Sequence, residues 1–270
     1  MIASLSRQQA FDQRLKDPRF VLVYQMGKVG SSSIEASLEQ ANIPSWHIHT
    51  FDDNEEFQMY RNTSDVACFF DWHVRAGYKL ALAHRKRILQ KRESLKIITL
   101  VRDPVATVVS RFFQDLHIQF VAGKKNEAIH GDIEKTLAHL FDAFDTQIRL
   151  EYFTDWFDRE LKRQFGVDIY QHVHDPNQGH WTMSQGGRDV LLMKCEAIND
   201  SASVLADFLA EPSFTLTTSN DAANKWYSEL YRQFKATYPF EKLFHLYDAP
   251  LYQAVYSESE IQAFKNKWGQ

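Results

Sequence analysis

Phe20-Val21-Leu22-Val23-Tyr24-Gln25-Met26-Gly27-Lys28-Val29-Gly30-Ser31-Ser32-Ser33-Ile34 joins an unbroken apolar run to a glycine-bracketed lysine and three hydroxyls. Phe20 to Tyr24 has the character of a strand covered on both faces, and from Ser31 to Ala41 the apolar spacing turns helical through Ile34, Leu38 and Ala41. Gly27 and Gly30 permit close backbone approach, Lys28 adds a mobile positive charge, and the N-H groups of a helix start attract phosphate or sulfate oxygens. Ser31, Ser32 and Ser33 add hydroxyl donors. Taken as local structure only, the same residues make a flexible loop and a helix cap.

Outward from this stretch, Ile2 to Leu15 reads as a short amphipathic helix broken by Asp17-Pro18. Asn42-Ile43-Pro44 closes the helix after the glycines, Trp46 to Thr50 is extended, and Tyr78 to Gln90 is amphipathic. Lys96 to Val101 supplies another apolar strand, and Asp103-Pro104 then starts a helix with an Asp cap and Pro in its first turn. Ile133, Leu137, Leu140, Phe144 and Ile148 recur at helical spacing before the aromatic segment Tyr152 to Phe165. Val190 to Met193 reads as a strand, and Val204 to Leu209, Lys225 to Phe240 and Ser259 to Trp268 as helices. The alternation predicts a three-layer α/β domain with a mainly parallel central sheet and added C-terminal helices, residues 1-270 forming one domain.

The 270 residues, 44% hydrophobic and 14% aromatic, suffice for one substantial core. A net charge of -4 argues against a generally basic nucleic-acid binder, and no zinc-finger, RNA-recognition or helix-turn-helix signature is present. From Arg75 through Arg102 nine lysines or arginines stand against Glu93 alone, with Arg85, Lys86, Arg87, Lys91 and Arg92 the densest group. Singly these read as a solvated helix face; together they can guide an anionic nucleotide or polysaccharide toward a central crevice. Cys68 and Cys195 suit a reducing interior, no apolar run reaches membrane-spanning length, and a soluble, cytoplasmic protein is expected.

In a Walker A loop the last glycine precedes Lys and then Ser or Thr, whereas here Lys28 precedes Gly30 and the hydroxyls follow that glycine. A P-loop-type small-molecule kinase would use Asp103 for magnesium, but Pro104 directly after it favours helix capping. The segment Gly27-Lys28-Val29-Gly30-Ser31-Ser32-Ser33, followed by Arg102-Asp103-Pro104 and Ser110, resembles the nucleotide-dependent sulfotransferase superfamily. Trp156 to Glu160, Phe165 to Tyr170, Asn224 to Tyr231 and Ser257 to Trp268 extend the likeness to bacterial capsular polysaccharide synthesis proteins.

The resemblance implies a P-loop-like sulfotransferase fold and 3'-phosphoadenosine 5'-phosphosulfate as donor, leaving adenosine 3',5'-bisphosphate as product. It puts the 5'-phosphosulfate on Gly27 to Ser33 and the 3'-phosphate on Arg102 and Ser110. The acceptor is then a hydroxyl or amine, with carbohydrate or polysaccharide suggested by the bacterial group; a non-catalytic nucleotide-binding regulator of polysaccharide assembly is the alternative from another class. Lys28 and Ser32 would stabilise the departing phosphate, and no metal is chemically required. His49, near the C-terminal end of the second strand, is the first candidate base; His47, His73, His84, Asp71 and Glu35 stay open as alternatives or orienting groups. His172-Val173-His174-Asp175 and His180 lack a closed metal spacing, and Asn177, Gly179, Gly186 and Gly187 suggest a polar loop that can shape the acceptor pocket. Trp156, Phe157, Trp181, Trp226 and Tyr227 can stack on adenine or sugar, though such residues most often pack in cores.

Overall fold

The computed structural model describes residues 2-51, 72-114, 133-217 and 227-269. Five strands form one sheet in the order β2-β1-β3-β5-β4. They are β1 (Val21–Tyr24), β2 (Ser45–Ile48), β3 (Leu95–Val101), β4 (His180–Gln185) and β5 (Arg188–Lys194). The first, second, third and fifth run parallel, with Val21 beside Ser45 and Lys96, and Leu95 beside Arg188. All of β1 and most of β3 are buried, as continuous apolar strands between covering layers should be.

Side-chain alternation along β2 shows what covers each face. Trp46 packs edge-on against Phe11 of α1 (Ile2–Arg14) and under Arg85 of α3 (Trp72–Lys91). The neighbouring His47 points the other way, to Glu35 of α2 (Ser31–Gln40). Helices therefore lie on both sides of the sheet.

β4 departs from the sequence expectation of a polar loop. Gly186-Gly187 turn the chain so that His180–Gln185 pairs antiparallel with β5, burying Trp181 and Met183 while Thr182 and Ser184 stay exposed. The signal was the period-two alternation between the glycines.

α4 (Pro104–Gln114) starts as predicted: Val105 N donates to Asp103 Oδ1 at 3.1 Å, with Pro104 in the first turn. Asp103 does more than cap. Its Oδ1 also accepts from Tyr247 Oη at 2.8 Å and its Oδ2 from Trp268 Nε1 at 2.7 Å, and it is 1% exposed. Trp268 closes the last helix, Glu258–Trp268, which opens with a capping box at Ser257 and Glu260. Glu260 in turn receives the buried Lys194 ammonium at 2.7 Å. Asp103 and Lys194, following β3 and ending β5, thereby bolt the C-terminal helices onto the edge of the sheet where the parallel strands end. Asp103→Ala is expected to cost about 2 to 3 kcal/mol, because Tyr247 and Trp268 are left as buried unpaired donors. Urea unfolding checks this, and an unchanged midpoint would contradict it.

Candidate functional site

Strand order reverses at β1, which has β2 on one side and β3 on the other. In open α/β sheets the crevice at such a point, outside the C-terminal strand ends, is where ligands bind. The loop leaving β1 and the residue following β3 both arrive there. Gly27 (φ 89°), Lys28 (φ 60°) and Gly30 (φ 99°) curl this loop through left-handed conformations, the backbone from which anion-binding nests are built. Gly30 caps α2 with no side-chain hydrogen bond, so its leading N-H groups are not taken by the cap residue. Ser32 is exposed, Ser33 half-buried and Ser31 buried, which makes Ser32 the hydroxyl most open to a ligand.

Gly30 admits no side chain. A Cβ there would sit 3.0 Å from Cys195 Sγ, on a backbone that L residues rarely adopt. Burial pushes the Cys195 thiol up to about 11, so it packs as a neutral group. Gly30→Ala is expected to destabilise by about 1 to 2 kcal/mol and to weaken anion binding, measurable as a lower Tm and a weaker Kd for adenosine 3',5'-bisphosphate.

Arg102 donates Nη1 to Lys28 O at 3.0 Å, tying the end of β3 to the cradle. Ser110 lies half-buried in α4. The following residue, Arg111, brings a guanidinium whose Nη1 would stand 3.1 Å from a Cβ on Gly27. Arg111 was not singled out from the sequence; its only signal is a cation two turns into the helix that follows β3. Lys28, Arg102 and Arg111 give the loop and its surroundings positive charge, a set suited to a multiply charged anion.

His49 also borders Gly27, with Cε1 3.2 Å from the same Cβ position. Its Nδ1 lies 3.0 Å from Gln25 O. A carbonyl only accepts, so Nδ1 carries the proton and Nε2 holds the lone pair a base needs. No described residue hydrogen-bonds Nε2. Burial, then His47 and Arg111, lower the imidazole from 6.5 to about 4, keeping it neutral at physiological pH. Because folding disfavours the protonated ring, this contribution to stability is complete above 6.5 and is lost as pH falls toward and through about 4.

His47 stacks edge-on against His49 at 4.4 Å, with Nδ1 3.0 Å from Glu35 and Nε2 3.2 Å from Gln25 Nε2. Gln25 thus holds both histidines, one by its backbone and one by its side chain.

A single helical element braces this corner. The helix Glu151–Trp156 runs into a π-helical turn (Phe157–Lys162) and ends at Arg163–Phe165. Tyr152 Oη donates to Met26 O at 3.2 Å, Trp156 Nε1 to His49 O at 2.8 Å, and Phe51 N to Glu160 Oε2 at 2.9 Å. Glu160 also accepts from Tyr24 and Thr50. Tyr152, Trp156 and Glu160 recur every fourth residue, so one helix face grips the ends of β1 and β2.

Other predicted participants fall elsewhere. His84 is half-exposed and faces Asp12 of α1 at 3.7 Å. His73 falls on α3, while Asp71 and Trp226 lie outside the described residues. Trp156, Phe157 and Trp181 are buried and work in packing. Tyr227 packs against Phe113 with ring centroids 5.7 Å apart. Two members of the basic group do not front the crevice: α3 ends at Lys91 just before β3 begins, so Lys91 and Arg92 lie at the opposite end of the sheet from the cradle. Arg85 is buried, and Arg92 donates to Leu15 O at 2.7 Å. Among the described residues no group of three or more His, Cys, Asp or Glu is placed to hold a metal ion. None of their helices is long and apolar enough to cross a membrane.

Fold and candidate site together define an α/β protein with a left-handed glycine loop at the reversal of strand order and a neutral histidine beside it. Residues 128-257, just under half of the chain, match the family model described as "Putative capsular polysaccharide synthesis protein". That match links the C-terminal half to capsular polysaccharide synthesis. It contains Tyr152, Trp156, Glu160, β4 and β5, and stops short of the cradle, His49, Arg102 and Arg111. No curated protein and no solved structure matches the chain.

Proposed function

We propose that this protein transfers a sulfuryl group from 3'-phosphoadenosine 5'-phosphosulfate to a hydroxyl or amine of a carbohydrate or polysaccharide, on a P-loop-like sulfotransferase fold. The observation that carries the reading is the loop of Gly27 to Ser33, cross-tied by Arg102, with the His49 ring alongside Gly27 and its Nε2 left as the lone-pair nitrogen. His49 takes the acceptor proton as the acceptor oxygen or nitrogen bonds to sulfur. The bond from sulfur to the bridging phosphate oxygen breaks, and adenosine 3',5'-bisphosphate leaves with that electron pair. Lys28, Ser32 and the first N-H groups of α2 offset the charge growing on the phosphate. Arg102, and Ser110 on α4, are assigned to the 3'-phosphate, and Arg111 adds positive charge beside the cradle.

The kinase alternative draws on Asp103 as a magnesium ligand. Both of its oxygens already accept from Val105, Tyr247 and Trp268 in a buried setting, which counts against that use. Incubating the purified protein with labelled donor and a saccharide panel, with products identified by mass spectrometry, tests the proposal. Sulfated saccharide and adenosine 3',5'-bisphosphate are expected. A magnesium-dependent phosphorylated product would replace the reading with a kinase, and tight donor binding without turnover would replace it with a regulator.

A further inference from the structure

A cleft of about 480 Å³ runs along β2 and is lined by residues of α1, α2, β2 and α3, among them Arg14, Glu35, Trp46, His47, His49 and Arg85. The histidine pair belongs to one face of β2, with His47 turned to Glu35. On the opposite face, around Trp46, is a cationic wall in which Arg14 and Arg85 place their guanidinium carbons 5.7 and 5.0 Å from the Trp46 ring centroid. Arg14 is exposed and donates to Ser45 O at 3.0 Å; Arg85 is buried, stacks on Phe11 as well, and donates Nε to Gln8 Oε1 at 3.2 Å. These contacts fix the charges in place, so a ligand need not order them. Glu35, the only carboxylate among the described lining residues, is engaged by His47 at 3.0 Å.

We propose that this cleft receives the acceptor and selects a saccharide bearing a carboxylate, with Arg14 as a specificity-determining residue. The proposal rests on the sulfuryl-transfer reading for the reaction at His49, whereas the binding itself does not depend on it. Ser45 and His49 are four strand residues apart, about 13 Å. The carboxylate therefore docks on a different sugar unit from the one whose hydroxyl meets His49.

Imidazole and indole NMR signals of the full chain, titrated with a hexasaccharide of alternating glucuronic acid and N-acetylglucosamine and with neutral chitohexaose, test the idea. The acidic saccharide is expected to shift the His47, His49 and Trp46 signals and to bind about tenfold more tightly than the neutral one. Arg14→Gln is expected to erase this preference and Arg14→Lys to retain part of it, both leaving the Kd for adenosine 3',5'-bisphosphate unchanged. Equal affinity for the two saccharides, no binding of either, shifts elsewhere in the chain, or an Arg14→Gln variant that keeps the preference would overturn the proposal. Acidic-saccharide binding at these signals without any transfer from the donor would leave the cleft assignment standing and defeat the reaction.

Discussion

Lys28→Ala is expected to lower the turnover of donor and saccharide by about 10²- to 10³-fold, the usual cost of removing one group that stabilises developing charge. Lys28 sits at φ 60° between two left-handed glycines, and its carbonyl is anchored by Arg102. The backbone path is thus held independently of the side chain, and alanine at this position removes the ammonium while Arg102 keeps its acceptor. Adenosine 3',5'-bisphosphate should still bind, though more weakly, since the loop N-H groups, Arg102 and Arg111 remain. Single-turnover rates and product Kd, measured together, separate the two effects. A variant that turns over like the parent protein would remove Lys28 from the chemistry.

His49→Ala carries the second large effect, a loss of about 10²- to 10⁴-fold as expected for a positioned general base. Its pH signature is more specific than its size. With the free imidazole lowered to about 4, kcat/KM should hold level from neutrality through 6.5, where an ordinary histidine would already be half protonated, and fall only toward pH 4. The variant should lose this acidic limb along with its rate. NMR titration of the His49 ring gives the same pKa without turnover. An acidic limb centred near 6.5 in the parent protein would assign the base to another group, His47 being the nearest.

The fold was largely legible. Unbroken apolar runs at β1 and β3 announced strands buried on both faces, and Asp103-Pro104 announced a helix start, because caps and continuous burial are local and need few neighbours. β4 was readable as well, since Trp181 and Met183 alternate with Thr182 and Ser184 before Gly186-Gly187. The cluster of histidines and glycines around that stretch suggests a loop, and the pairing with β5 prevails. The π-helical turn at Phe157–Lys162 carries no such signature: its role emerges only when Tyr152, Trp156 and Glu160 meet the ends of two distant strands.

For the site, the glycine, lysine and serine order determined by itself that a tightly curled loop leads from β1 into a helix start, because left-handed backbone and a helix start are written in residue types. Only the tertiary structure decided what surrounds it. It brought Arg102 onto Lys28, added Arg111, neutralised His49 by burial beside Arg111 and His47, and put Lys91 and Arg92 at the far end of the sheet. The division has a plain cause. Backbone conformation depends on neighbours in the chain, whereas charge, desolvation and proximity depend on neighbours in space, which the order of strands sets.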